Sequence, residues 1–215
     1  SIAMYISKLY LNPRSPQVRA ELHAPYQLHR TILKAFPDKQ NGGPGRVLFR
    51  IEPTKNQPQI PLIVQSEKQP NWNTLPQNHT PYLTHGPHGD PPHQTKPYSP
   101  TFHPGQRLAF RLRANPTIKR QGKRIGLLTE ELQAQWLHRK AQRAGFTPIT
   151  VRITTEGFLR DKKHDPNKTH NITLLAVRYD GILQVNHPQE FLAAVLNGIG
   201  PAKALGFGLL SVAPA

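Results

Sequence analysis

The sequence predicts an α+β protein built from two tandem ferredoxin-like (RRM-like) βαββαβ domains, on three observations. Short strand-like runs are punctuated by Pro, Gly and Asn, helical runs open at Pro25, Thr129 and Pro188, and the resulting order reads as the same supersecondary unit twice. A length of 215 residues admits one large domain or two small ones, so the division rests on pattern and not on size.

Tyr5 to Leu11 reads as a strand closed by Asn12-Pro13. A helix follows from Pro25, with Leu28, Ile32, Leu33 and Phe36 at helical spacing until Pro37 and the glycine-rich turn at Asn41 to Gly45. Arg46 to Ile51 and Ile60 to Ser66 are the next strands, and a short, weak helix is expected near Trp72. Asn78 to Pro104 is crowded with Pro, His and Thr and lacks apolar periodicity, which predicts an exposed or partly disordered insertion. From Arg107 to Arg113 apolar and basic residues alternate, so Leu108, Phe110 and Leu112 share one face and Arg107, Arg111 and Arg113 the other. That run is read as the last strand of the first unit.

Asn115 to Arg124 reads as a basic connector, with a strand at Arg124 to Leu128 expected to open the second unit. Thr129 caps a helix with Glu130 and Glu131 in its first turn and Arg139, Lys140 and Arg143 in its last, as the helix dipole prefers, and Gly145 ends it. Leu132, Trp136, Leu137 and Ala144 supply its expected buried stripe. Strands follow at Ile149 to Leu159 and Ile172 to Tyr179, and an Asp180-Gly181 turn leads into another at Ile182 to Val185. A helix from Pro188 turns Phe191, Leu192, Val195 and Leu196 inward, and a glycine-rich loop leads to a last strand, Phe207 to Val212. The expected domains are residues 4–114 with the insertion at 78–104, a basic linker at 115–123, and residues 124–215.

Charge is the first functional signal: 28 Lys and Arg against 12 Asp and Glu give a formal net charge of +16, the electrostatic footprint of a polyanion binder. A basic but inert surface, or one that meets anionic membrane, is the alternative; no basic helix here carries a broad exposed apolar face, which weakens the membrane version. The absence of cysteine excludes disulfide frameworks, thiolate nucleophiles and the commonest structural zinc sites. Ser1, Ile2 and Ala3 precede the only methionine and are read as an expression remnant, with the native chain expected to begin at Met4. No charged leader with an apolar core follows Met4 and no run is long enough to span a bilayer, so a cytoplasmic protein is expected.

The loop Gly198-Ile-Gly-Pro-Ala-Lys203-Ala-Leu-Gly206-Phe-Gly208 fits neither a P-loop, where Gly-Lys-Ser/Thr opens a helix, nor the dinucleotide fingerprint, whose third glycine position holds Lys203. It reads as a backbone with exposed N–H groups and one cation suited to approach a phosphate, or as a simple helix-to-strand turn. With its continuation to Pro214, this stretch resembles the C-terminal signature of CasE, the crRNA-processing endoribonuclease family of type I-E CRISPR systems. Asn12-Pro13 followed by Pro25-Tyr26-Gln27-Leu28-His29-Arg30 resembles that family's catalytic helix, and Phe110 to Pro116 followed by Gly122-Lys123-Arg124 resembles its middle block.

The resemblance implies two ferredoxin-like domains, a basic cleft for the CRISPR repeat hairpin RNA (pre-crRNA), cleavage at the base of the stem, and retention of the crRNA product beside other Cascade subunits. It implies no cofactor and no metal. It also singles out Tyr26 and His29, which on residue type alone would more often be ordinary helix positions. Residues three apart on a helix have Cβ atoms about 5–6 Å apart, so phenol and imidazole can address one phosphate. Imidazole titrates near neutrality, which suits attack of a 2′-hydroxyl on the adjacent phosphorus to leave 2′,3′-cyclic phosphate and 5′-hydroxyl ends. Which proton His29 moves stays open, and His23 has no counterpart in the motif.

Arg160, Lys162 and Lys163 lie in a segment that resembles the part of the family contacting the hairpin near the cut, and Arg160 and Lys162, two apart on an extended chain, would face one way. Arg30 and Lys34 beside the catalytic pair, then Arg111, Arg113, Lys119, Arg120, Lys123 and Arg124, and finally Lys203 extend the expected RNA-binding track. His79, His85, His88, His93, His103 and Asp90 could in principle hold a metal, but without ligand spacing a soluble loop is the expected reading. Two rivals remain: a hairpin-binding subunit without catalysis, and a metal-dependent nuclease built on the histidine-rich segment.

Overall fold

The computed structural model describes residues 4–215, apart from the side chains of residues 163–165. The chain divides into two units: residues up to Ser99 with Arg160–Ile172 and Ala204–Gly206 form one, and Pro100–Leu159, Thr173–Lys203 and Phe207–Ala215 the other. Each is ferredoxin-like.

In the first unit β1 (Met4–Leu11), β2 (Val47–Ile51), β3 (Ile60–Ser66) and β4 (His93–Tyr98) form an antiparallel sheet in the order β2-β3-β1-β4. Helices α1 (Pro16–Leu22) and α2 (Pro25–Leu33) connect β1 to β2. The apolar pattern identifies α2 but not α1, which has seven residues, too few for a periodic signal. Ser15 starts α1, its hydroxyl accepting the Val18 N–H at 3.3 Å, and Pro16 follows at the first turn where no donor is needed. Leu28 and Ile32 of α2 pack with Val18, Leu9, Phe49 and Leu62 in one buried cluster.

α1 and α2 also meet through a buried carboxylate: Glu21 accepts the Tyr82 hydroxyl at 2.7 Å and the Thr31 hydroxyl. Burial, and then the neighbouring Glu21 charge, pushes the Tyr82 phenol far above its ordinary pKa. Where a second crossover helix was expected near Trp72, the chain makes the 3-10 turns Trp72–Thr74 and Pro87–Gly89. Trp72 substitutes for the missing helix: it is buried edge-on against Phe36 and its Nε1–H donates to Ser7 Oγ at 3.0 Å and Thr95 Oγ1 at 3.2 Å, tying β4 to β1.

The expected insertion at 78–104 is therefore largely part of the fold. Tyr82 is buried and its carbonyl accepts the Asn12 N–H at 2.9 Å, Thr84 N–H donates to the Tyr10 carbonyl at 3.0 Å, and β4 pairs with β1 from Tyr98 opposite Met4 to His93 opposite Leu9. A strand this polar, with Pro97 in it, is tolerated because β4 lies at the sheet edge, where only one side of its backbone pairs.

The other sheet, in the order β10-β5-β9-β8, is formed by β5 (Arg107–Ala114), β8 (Phe146–Asp165), β9 (Lys168–Val185) and β10 (Leu210–Pro214), the facing ends of β8 and β9 from Arg160 to Ile172 belonging to the first unit, with β6 (Thr117–Arg120) and β7 (Lys123–Gly126) as a separate hairpin. The alternating run Arg107 to Arg113 thus opens the second unit and does not close the first. Arg124 to Leu128 does not start that sheet, and 115–123 is not a linker. Local alternation identifies a strand but not the sheet it joins, which pairing decides.

Helix α3 (Glu130–Arg143) follows β7, with Leu132 N–H bonded to Thr129 Oγ1 at 3.3 Å as the cap requires. Its buried residues are Gln133, Trp136, Leu137 and Ala141, whereas Leu132 is exposed. Gln133 is tolerated inside because its side-chain amide donates to the Leu127 carbonyl at 2.9 Å and its side-chain oxygen accepts the Thr155 hydroxyl at 3.3 Å. Helix α4 (Pro188–Asn197) buries Phe191, Val195 and Leu196.

The expected Asp180-Gly181 turn is absent, since β9 runs through both residues. Gly181 is instead a point of close approach: a Cβ there would collide with the Thr150 carbonyl oxygen of β8. We expect Gly181→Ala to destabilise the protein by about 1–3 kcal/mol, read as a lowered denaturant midpoint.

Candidate active site

Helix α2 presents Tyr26 and His29 one turn apart, both half-buried, with Leu28 and Ile32 turned into the core. The Tyr26 backbone N–H donates to Asp161 Oδ2 of β8 at 2.7 Å. The His29 ring stacks on Phe49 of β2, centroids 6.1 Å apart and planes 17° from parallel. Its Nδ1 is buried without a hydrogen-bond partner among the described residues. Burial disfavours the imidazolium and holds the His29 pKa below its ordinary value, so the ring is a neutral base at neutral pH.

Phe49 is fixed from another side by Gly206, where an added Cβ would lie 2.9 Å from the ring edge. Gly206 has φ +87°, a left-handed conformation that only glycine adopts without cost. The glycine-rich loop thus has a packing role at Gly206. Its Ile199 N–H donates to the Gly208 carbonyl and its Gly208 N–H to the Arg113 carbonyl, both at 2.9 Å.

Of the expected binding residues in the first unit, Arg30 on α2 and Lys34 at its C-cap are exposed, and Arg160 and Lys162 are exposed on β8. Strand alternation turns those two away from the face that carries Asp161. The Lys163 side chain lies outside the described residues.

In the second unit the expected track separates into two classes. Arg111 and Arg113 belong to a chain of ion pairs across the sheet: Arg111 to Asp180 at 2.6 Å, Asp180 to Arg178 at 2.9 Å, Arg178 to Glu156 at 3.4 Å and Glu156 to Arg113 at 2.9 Å. Burial alone would raise the Asp180 pKa, but hydrogen bonds from Arg111 and Arg178 hold it below the ordinary carboxylate value. These arginines are engaged within the protein, a fate that residue type could not reveal because their partners are distant in sequence.

Lys119, Arg120, Lys123 and Arg124 are exposed on the β6-β7 hairpin, where Lys119 faces Arg124 and Arg120 faces Lys123. Gln121 and Gly122 turn the hairpin with φ +48° and +77°. Like charges set directly opposite cost stability, and an anionic ligand would relieve them.

The sequence reading missed a further cluster. The Lys140 pKa is lowered by burial first, and then by the like charges of Arg143, Arg124, Lys203 and Arg139, so the α3 cation feels the positive field of both Arg124 and Lys203. Arg139, Lys140 and Arg143 have no carboxylate partner among the described residues, and Lys140 sits over the Trp136 ring at 5.5 Å. The run Arg139-Lys140 with Arg143 was visible as helix-dipole chemistry, which masked its second use. Asp161 and Phe49 gave no signal at all. Among the described residues no group of three His, Asp or Glu side chains is placed to hold a metal ion, and no helix is long and apolar enough to cross a membrane.

A family model described as "CRISPR associated protein" matches residues 4–214. The CRISPR-associated endoribonuclease Cse3 of Thermus thermophilus is 38% identical over 221 residues, spanning 98% of this chain and 100% of that protein. The Cascade subunit CasE of Escherichia coli is 29% identical over 228 residues, spanning 98% of this chain and 100% of that protein. A solved structure of Cse3 bound to a 19-nucleotide RNA superposes with a TM-score of 0.83 at 36% identity, covering 99% of this chain and 100% of that one.

The two classes of cation are separable by salt. Replacing Lys119, Arg120, Lys123 and Arg124 together by Ala should weaken binding of a stem-loop RNA and flatten the slope of log K against log salt by about 0.7–0.9 for each phosphate the protein no longer neutralises. Arg111→Ala should leave that slope unchanged and lower the denaturant midpoint, because it leaves the half-buried Asp180 with only one of its two arginine partners, Arg178.

Proposed function

The chain belongs to the CRISPR-associated family of the Cse3 and CasE endoribonucleases, and from that premise we propose that it cuts CRISPR precursor RNA at the base of the repeat stem-loop without a metal ion and keeps the product as a Cascade subunit. The observation that carries this reading is the imidazole of His29, half-buried and stacked on Phe49 one helical turn from Tyr26.

A neutral imidazole can accept a proton. His29 takes it from the 2′-hydroxyl as the O2′–P bond forms, the P–O5′ bond breaks, and the departing 5′-oxygen takes a proton from water. The products are a 2′,3′-cyclic phosphate and a 5′-hydroxyl. Tyr26 is a hydrogen-bond donor to the phosphate being attacked. Arg30 on the same helix with Lys34 at its C-cap, and Arg160 and Lys162 on β8, hold neighbouring phosphates, while the β6-β7 hairpin, the α3 cations and Lys203 hold more of the stem. A-form major grooves are too narrow for side chains, so the stem is held by shape and backbone, and sequence is selected at its ends. Retention of product makes the protein a single-turnover enzyme, acting in the cytoplasm where the precursor is made.

The test incubates wild-type and His29→Ala protein with a labelled repeat hairpin in excess chelator. We expect one cut at the stem base with a cyclic-phosphate end, lost in the variant while binding survives; intact RNA bound by wild type would make the protein a non-catalytic hairpin-binding subunit. Dependence of cleavage on added metal would overturn the mechanism.

The pH dependence carries the role of His29. Because burial lowers its pKa, the base form prevails above a midpoint under the ordinary 6.5. The single-turnover rate should therefore rise with pH through that midpoint and then level off, whereas a rate falling across the same range would make His29 the acid.

A further inference from the structure

Helix α2 lacks the usual means of satisfying its first turn. Ala24 stands at the N-cap and offers no side-chain acceptor. Pro25 has no N–H, and the N–H groups of Gln27 and Leu28 both donate to the Ala24 carbonyl, at 2.9 and 3.1 Å. That leaves the Tyr26 N–H, and its acceptor comes from far along the chain: Asp161 Oδ2 at 2.7 Å. The other carboxylate oxygen, Oδ1, accepts the Lys162 N–H at 2.7 Å, so one side chain joins the start of α2 to the backbone of β8.

From this geometry we propose that Asp161 is a positioning residue for RNA cleavage, fixing the rotation of Tyr26 and His29 relative to the strand that carries Arg160 and Lys162. The proposal rests on the reading of α2 as the catalytic helix. The bond joins the residue that bears the phenol to the strand that bears the phosphate-holding cations. A carboxylate there also occupies the positive end of the helix, the place a phosphate would otherwise be drawn to, and leaves the phosphate to the side chains of Tyr26 and His29. Asp161 itself, an anion beside an anionic substrate, does not help binding. A residue that touches RNA would lower affinity when removed; a positioning residue lowers rate alone.

The experiment measures cleavage of a labelled repeat hairpin under single-turnover, saturating conditions, together with Kd, for wild type, Asp161→Ala and Asp161→Asn. Asparagine keeps one acceptor oxygen for the Tyr26 N–H and loses the charge and the second acceptor, which serves the neighbouring Lys162 N–H. We expect Asp161→Ala to slow cleavage by about 10-fold to 100-fold with Kd unchanged or tighter, and Asp161→Asn to cut within about threefold of wild type. An alanine variant that cuts as fast as wild type overturns the inference, as does an asparagine variant as slow as alanine, or a loss of affinity that accounts for the whole defect. If the alanine variant does not fold, hydrogen exchange at the Tyr26 amide of the wild-type protein decides: slow exchange supports the bond, and exchange at the rate of an open amide overturns it. A wild-type protein that binds the hairpin without cutting it defeats the reading of α2 as catalytic, an outcome distinct from all of these.

Discussion

The polar groups that α2 cannot leave unpartnered determine where it lies. A buried donor without an acceptor costs about 1–3 kcal/mol, comparable with burying a whole apolar side chain. α2 meets the demand with partners from two other parts of the chain, one of them held in turn by a third. Asp161 takes the amide at its start, Glu21 of α1 takes the Thr31 hydroxyl in its last turn, and Tyr82 saturates the same carboxylate from the segment before β4. Apolar packing of Leu28 and Ile32 would hold the helix against the sheet but would tolerate rotation or sliding; the directional bonds at both ends remove that freedom. The one conspicuous exception on the helix is His29, whose Nδ1 is buried and unpartnered among the described residues. An exception of that kind is where function is expected, since a satisfied nitrogen would be less available for proton transfer.

Which features the sequence reveals depends on how far apart in the chain their causes lie. Strand β1, helix α2, the Thr129 cap of α3 and the alternation of β5 are all encoded within a few residues and were readable. Assignment of β5 to its sheet was not readable, because the pairings of Arg107–Ala114 with β9 and β10 are made across long separations. Strand β4 was hidden for a related reason. Its backbone pairs only with β1, its side chains are mostly exposed, and nothing in its composition needs to look like a core strand.

The candidate site divides along the same line. Tyr26 and His29 were visible as a spacing on one helix within a recognisable motif, whereas Asp161 and Phe49 were invisible because their relation to that helix exists only after folding. Charge misled in the same manner. Arg111 and Lys119 look alike by residue type, yet one is bound into an alternating chain of ion pairs with Asp180, Arg178, Glu156 and Arg113, and the other stands exposed on a hairpin opposite another cation. A net charge of +16 therefore overstates how evenly the protein presents positive charge. The first group ties strands of a sheet together; the second is held at some cost in stability that a bound polyanion would remove.

Gly206 lies near the C-terminus and bears no functional group, yet it leaves the space in which Phe49 rests, and Phe49 carries the His29 ring. A side chain at that position would press on the aromatic ring and tilt the imidazole stacked against it. A glycine near the end of the chain thus helps set the orientation of a histidine near its beginning. On the mechanism proposed above, a substitution at Gly206 would disturb proton transfer through a residue that neither binds nor moves a proton, and would slow cleavage more than it weakens binding.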